Sequence, residues 1–283
     1  MKWTSRQWLS LLWILAVFVG AFLLLFVAPT TIGDFWYILV TPFVTAALLG
    51  IWLTAGIGPV WLRLLGMLVG QCLLVFVMAL TSGENPVGFT PGLAATTAST
   101  ALAMLGLGCV GSFLPIQSTW KVRIALWEIV VSIGLIGVTL AIVRLLSEIY
   151  QWDWPAWASR AGVHFLVFAL FTGAMMTIAL LPLIVTGKKP RWFMGTMLAF
   201  ALALIPPIES MTFSLLSLSG GDIELFYAAH IGQTVMALAI MIPLVNAFPG
   251  VLVRQTPPKV EPGDLVDEKP DQPSVEQDFA DMQ

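Results

Sequence analysis

Charged residues are scarce in this chain: Asp, Glu, Lys and Arg together make up 10% of its 283 residues. A soluble domain contains about 25%, because its surface must be solvated by water. Apolar residues instead make up 58% of the chain. This composition excludes an ordinary water-soluble domain and predicts that the outer surface contacts a lipid bilayer.

Other absences narrow the range of functions. The two cysteines, Cys72 and Cys109, lie inside apolar runs and form no CxxC pattern, so no disulfide framework or zinc motif is expected. The motifs HExxH and GxSxG and the phosphate-binding P-loop are missing, which favours a role other than that of an enzyme. There is no basic patch, so nucleic acid is not an expected partner.

Long apolar runs are what the chain does contain. A helix needs roughly 20 apolar residues to cross a bilayer core of about 30 Å. Eight runs reach that length, and the sequence predicts an all-α polytopic membrane protein with eight transmembrane helices. The runs are Trp8–Ala28, Phe35–Ala55, Val60–Leu80, Gly92–Leu114, Val122–Leu146, Ala161–Val185, Trp192–Leu218 and Tyr227–Val251.

The distribution of Lys and Arg predicts the orientation of these helices. Every second connection is basic, including the one with Lys188, Lys189 and Arg191, whereas Arg160 is the clear cation of the opposite set. Basic loops stay on the cytoplasmic side. We therefore expect a multi-pass protein of the cytoplasmic (inner) membrane, with both termini in the cytoplasm.

The chain divides into a transmembrane domain, residues 1–256, and a short tail, residues 257–283. The tail is rich in proline and acidic residues and has few large apolar ones. Such a segment cannot bury enough surface to offset its ordering entropy, which predicts disorder. A cytoplasmic protein partner that binds this tail is one hypothesis for its role.

Two cytoplasmic turns resemble each other. Gly56–Trp61 and Gly187–Trp192 both fit the pattern G-x-x-P-x-W, and the outer loops that follow are also alike, at 81–84 and 219–222. Duplication of an even number of helices preserves their orientation in the membrane. The match suggests a 4+4 tandem repeat of parallel halves, although Gly, Pro and Trp are common at any cytoplasmic helix turn.

Glu209 is the foremost candidate for a functional residue. It follows Pro206 and Pro207 in the seventh run, and a proline pair removes two backbone donors, so the helix is expected to kink or open there. An ionisable group at membrane depth costs about 2.5–3.5 kcal/mol, and by default indicates a functional site. Gln233, a polar residue in the eighth run, completes the predicted substrate- or ion-binding set.

The two histidines support a second hypothesis. His164 and His230 each lie about one turn inside a predicted span, entering from the same side, so they could meet across the bundle. Facing histidines can ligate a haem iron, and together with Glu209 they could hold a metal ion. Equal depth is the only support for this cofactor, and a solitary histidine near a helix end more often forms a hydrogen bond.

Three functions follow from these patterns. The leading hypothesis is transport of a small solute or ion through a site near Glu209. The second is a haem- or metal-binding redox subunit that uses His164 and His230. The third is a non-catalytic membrane scaffold whose tail recruits a partner.

Overall fold

Seven helices make up most of the residues that the computed structural model describes. The structure describes residues 4–27, 39–56, 58–82, 90–113, 144, 160–184, 188–218 and 222–248, and no strand occurs among them. The helices are α1 Ser5–Val27, α2 Thr41–Ala55, α3 Val60–Ser82, α4 Thr90–Phe113, α5 Arg160–Ile184, α6 Lys188–Leu215 and α7 Ile223–Ala247.

Four of these helices are long and apolar enough to cross a membrane: α3, α5, α6 and α7. The all-helical, membrane-compatible fold predicted from the sequence is therefore confirmed in this coarser form. Eight spans and the 4+4 repeat are not confirmed, and the fifth predicted span, Val122–Leu146, lies outside the described residues apart from Arg144. The 257–283 tail is also outside them. Helix α2 has 15 residues and is only about 22 Å long.

The buried core lies among α2, α4, α5 and α7. Helix α4 packs against α2 and α5, and α7 packs against α5 and α2, while α1, α3 and α6 lie on the outside. The outer helices expose large apolar side chains, such as Leu73 on α3 and Trp192 and Leu215 on α6. A water-soluble monomer rarely exposes such continuous apolar surface. The exposed surface of the described helices therefore suits lipid.

Small residues bring α2, α4 and α5 into close contact. A Cβ atom added to Gly50 of α2 would lie 2.5 Å from the backbone oxygen of Thr97, and one added to Gly173 of α5 would lie 3.0 Å from the backbone nitrogen of Thr100. Both contacts fall within the Ala94–Ala103 stretch of α4, whose small residues suit close helix packing. Helix α4 is thus held between the backbones of two neighbours.

We predict that Gly50→Ala destabilises the protein whereas Gly195→Ala does not. Gly50→Ala forces a methyl group against backbone, which costs about 1–3 kcal/mol. Gly195 is exposed on α6 with nothing within 4 Å of an added Cβ, so alanine there gains helix propensity. Thermal unfolding in detergent measures both variants, and equal midpoints would contradict the close packing of α2 on α4.

Proline removes one hydrogen bond inside α7, and a side chain of α1 compensates for it. Pro243 has no N–H, so the carbonyl of Ala239, four residues earlier, loses its helical donor. The indole N–H of Trp13 donates to that carbonyl at 2.9 Å, and the Ser10 hydroxyl bonds the Pro243 carbonyl at 3.3 Å. Helix α1 is therefore held to α7 at a site created by the proline.

Arginine caps the end of α2. Arg63 of α3 is buried, and its Nη1 donates to the carbonyl of Leu53 at 2.8 Å and to that of Thr54 at 3.1 Å. These carbonyls belong to the last turn of α2, which lacks intrahelical donors and has partial negative charge. The cation thus stabilises a helix end inside the bundle.

Candidate functional site

Helix α6 continues through Pro206 and Pro207 without interruption from Lys188 to Leu215, so the predicted opening of the helix is not observed. Pro207 nevertheless leaves the Ala203 carbonyl without its helical donor. The hydroxyl of Tyr227, in the first turns of α7, donates to this carbonyl at 3.0 Å. A side chain of the neighbouring helix replaces the missing backbone hydrogen bond, and this bond joins α6 to α7 close to Glu209.

A double-mutant cycle tests this compensation. Tyr227→Phe removes the donor and is expected to cost about 0.6–1.7 kcal/mol, the range of hydrogen bonds between helices in a membrane. In a Pro207→Ala background Ala203 regains a helical donor, so the same Tyr227→Phe change should have a smaller effect. Unfolding midpoints of the four proteins in detergent measure the coupling, and strictly additive effects would show that the two positions are independent.

Glu209, His230 and Gln233 form one buried chain of hydrogen bonds. All three side chains have 0% exposure. Glu209 Oε2 lies 2.6 Å from His230 Nε2, His230 Nδ1 lies 3.2 Å from Gln233 Oε1, and Gln233 Nε2 donates to the Leu39 carbonyl at 2.8 Å. These hydrogen bonds link α6 through α7 to Leu39, two residues before α2 begins.

The donors and acceptors in this series of hydrogen bonds determine which atoms carry protons. The Leu39 carbonyl can only accept, so the amide nitrogen of Gln233 must face it and the amide oxygen must face His230. His230 Nδ1 must then be an N–H donor. The contact between Nε2 and Oε2 therefore contains one proton, which resides on His230 as an imidazolium or on Glu209 as a neutral acid. In both forms the pair has no net charge.

The second carboxyl oxygen of Glu209, Oε1, lies outside this series of hydrogen bonds. Oε1 is fully buried and has no hydrogen-bond partner among the described residues. A buried acceptor without a partner costs about 1–3 kcal/mol, and more when it is charged. An acceptor of this kind can bind a water molecule, a cation or a proton.

An aromatic pocket lies next to this chain. It has a volume of about 90 Å³, enough for a few water molecules or a small solute, and its lining is almost entirely apolar. The lining residues are Leu39, His164, Phe165, Phe168, Phe213, Leu225 and Phe226. Phe168 also stacks on the imidazole of His230, with ring centroids 5.9 Å apart and an interplanar angle of 20°. Its ring therefore contacts both the pocket and the buried chain.

The two histidines are in different environments. His164 is half-buried in the pocket wall and meets Phe213 edge-on, with centroids 5.5 Å apart. His230 is fully buried, and both of its ring nitrogens are within hydrogen-bonding distance of protein groups. An iron or other metal ion at His230 would have to displace Glu209 or Gln233. Among the described residues, no three or more His, Cys, Asp or Glu side chains are grouped as metal ligands.

Comparison of the chain with protein-family models, curated proteins and solved structures found no match. The helices and the buried hydrogen bonds of Glu209, His230 and Gln233 therefore identify only the class of protein. It is an all-helical protein, consistent with a membrane protein, and a carboxyl–imidazole pair lies buried between two of its helices.

Some site residues were identifiable from the sequence and others were not. Glu209, His230 and Gln233 are polar residues in apolar runs, and the structure brings them together. Tyr227, Phe168 and the Leu39 carbonyl were missed. An aromatic residue in an apolar helix is usual, and a backbone carbonyl has no sequence signal. The one clue was the spacing of Tyr227, which lies one turn before His230 on the same helix.

We predict that Glu209→Ala is far more destabilising than Glu209→Gln. Alanine leaves His230 Nε2 buried without a partner, which costs roughly 3–5 kcal/mol if the imidazole stays charged. In Glu209→Gln the amide N–H can donate to Nε2 of a neutral imidazole, so the loss should stay near 1 kcal/mol. Thermal unfolding in detergent compares the two, and a similar large loss in both would contradict the assigned proton.

Proposed function

We propose that this protein transports a small solute or ion across the membrane through a site centred on Glu209, and that the Glu209–His230 pair takes up and releases a proton during transport. Glu209, Pro206, Pro207 and Gln233 form the proposed binding region. The observation that supports this function is the fully buried contact between Glu209 and His230, with one carboxyl oxygen of Glu209 unpaired among the described residues.

The physical reason is the cost of buried charge. A charge inside an apolar bundle costs much free energy, so a buried ionisable residue is unusual unless it is paired or functional. Transfer of the proton between Nε2 and Oε2 changes no net charge and has little cost. Loss of that proton to solvent leaves one negative charge, which favours entry of a cation or of another proton. At a site of this kind, binding of a cation is coupled to loss of the proton from the Glu209–His230 pair.

The aromatic pocket supports a route to this pair. It lies at the end of the bundle where α5 and α7 begin, because His164 belongs to the first turns of α5 and Leu225 to the first turn of α7. Phe168 separates the pocket from His230. In our proposal the solute or ion enters at this end, and a change in the position of the Phe168 ring admits it to Glu209.

The packing of the helices supports the proposed 4+4 repeat. Helix α2 packs against α3 and α4 as α5 packs against α6 and α7, and α3 contacts α4 as α6 contacts α7. The contact of α4 with α5 also has a counterpart in the contact of α7 with α2. Parallel halves related by an axis along the membrane normal would produce this pattern, and transporters are often built in this way.

The remaining features of the proposal come from the sequence. They are eight spans, location in the cytoplasmic membrane, and both termini in the cytoplasm. The redox hypothesis has less support than transport, because His230 already bonds Glu209 and Gln233. The scaffold hypothesis depends on the 257–283 tail, which lies outside the described residues. Deletion of residues after Arg254 without loss of any complex would count against it.

Proton movement in proteoliposomes tests the transport function. Purified protein is reconstituted with the pH indicator pyranine inside, and a panel of alkali-metal, ammonium and small organic-acid salts is added outside. We expect internal pH changes for at least one salt that exceed those of protein-free liposomes, and at least a tenfold loss of rate in Glu209→Gln. Glu224→Gln, at an exposed glutamate of α7, is the matched control and should retain the rate. Rates equal to protein-free liposomes for every salt, or an unaffected Glu209→Gln, would refute the proposal.

A further inference from the structure

Threonines in the described helices usually donate to their own helix, and a few buried ones do not. Thr97 donates to the Ala46 carbonyl of α2, and the Thr41 hydroxyl at the start of α2 has no partner among the described residues. Thr45, Thr54, Thr96, Thr100, Thr177, Thr196 and Thr212 each bond the carbonyl four residues earlier. The hydroxyls of Thr172 on α5 and Thr234 on α7 are buried and have no partner among the described residues. They share this property with Glu209 Oε1.

The register of the helices brings these two threonines to one level. Thr234 lies one turn after His230 on the same face of α7, and Thr172 lies one turn after Phe168 on the same face of α5. The rings of Phe168 and His230 stack, and α5 and α7 begin at the same end of the bundle. Thr172 and Thr234 therefore follow the stacked rings at matching depth, about 6 Å further into the bundle.

We propose that Glu209 Oε1, Thr172 Oγ1 and Thr234 Oγ1 form a site for a small monovalent cation such as Na⁺. Carboxylate and hydroxyl oxygens are the ligands that hard cations prefer. The site includes one carboxylate, so a monovalent ion balances its charge, whereas a divalent ion would leave a buried positive charge. This inference rests on the transport function proposed above and names the ion that the Glu209 site binds.

Binding of the cation exchanges for the shared proton. Glu209 and neutral His230 with one proton between them are uncharged; when a cation binds, that proton leaves to solvent, and Glu209 carboxylate, neutral His230 and the cation are again uncharged. One proton is released for each ion bound. Burial of net charge is avoided in both states, so the cation and the proton compete for the one negative charge of Glu209.

Few other titratable groups bear on this exchange. His230 is the titratable group hydrogen-bonded to Glu209, and it comes from α7. On α5, which also packs against α6, His164 lies in the wall of the aromatic pocket beside Phe213. Tyr227 of α7 is hydrogen-bonded to the Ala203 carbonyl, and Asp222 and Glu224 lie exposed at the start of α7. The proton released is therefore assigned to the Glu209–His230 pair.

The test uses the full-length purified protein in detergent. Unfolding midpoints are measured in NaCl, LiCl, KCl and choline chloride at equal ionic strength. Ligand binding to the folded state raises the midpoint in proportion to the logarithm of ligand concentration. We expect Na⁺ or Li⁺ to raise it relative to choline, with release of about one proton per protein detected by a pH indicator in weak buffer. Equal midpoints in all salts and no proton release would overturn the site.

Variants locate the ion. Thr172→Val and Thr234→Val keep the shape of the side chain and remove the hydroxyl, and each should weaken Na⁺ binding at least tenfold. Thr177→Val is the matched control on α5, because the Thr177 hydroxyl is buried but already bonded to the Gly173 carbonyl at 2.7 Å. Thr172→Ser and Thr234→Ser should retain binding, which separates loss of the ligand from loss of folding. Na⁺ stabilisation that persists in both valine variants would overturn this site.

The two proposals fail separately. Proton movement in proteoliposomes without any Na⁺-dependent stabilisation would leave transport standing and refute the cation site. Na⁺ binding that requires Thr172 and Thr234, in a protein that moves no protons, would support the site and refute the transport function.

Discussion

Every polar group inside this bundle must find its partner within the protein, because an apolar interior offers no water to replace it. The helices of this chain meet that constraint with side chains from their neighbours. Trp13 bonds the carbonyl freed by Pro243, Tyr227 bonds the carbonyl freed by Pro207, and Arg63 caps the last turn of α2. Each solution joins two helices, so the same hydrogen bonds that satisfy the backbone also determine the packing.

The Glu209–His230–Gln233 chain follows the same rule with ionisable groups. Glu209 bonds His230, His230 bonds Gln233, and Gln233 bonds the Leu39 carbonyl, where the series of hydrogen bonds ends. The single proton assigned between Glu209 and His230 keeps that pair neutral. The exceptions are therefore informative. Glu209 Oε1, Thr172 Oγ1 and Thr234 Oγ1 are buried without partners among the described residues, as is Thr41 Oγ1 at the start of α2. The proposed transport and cation site rest on this contrast.

Close packing and the candidate site depend on different residues. Gly50 and Gly173 allow α2 and α5 to approach α4, and this contact needs only the absence of side chains. The candidate site instead lies among α5, α6 and α7, where Phe168 separates the aromatic pocket from His230. Helix α6 contributes Glu209 from a mainly exposed helix, so the site lies between the core and an outer helix.

The sequence by itself determined that the chain is helical and apolar enough for a membrane, and it identified Glu209, His230 and Gln233 as unusual polar residues. Both conclusions follow from local composition and from the cost of burying polar groups. Only the tertiary structure decided that His230 pairs with Glu209 rather than with His164, and that α6 continues through Pro206 and Pro207. These outcomes depend on which helix faces lie together. Equal depth in two helices says nothing about rotation around their axes. The carbonyl that a proline leaves without a donor can be satisfied by a side chain of another helix, as Tyr227 shows.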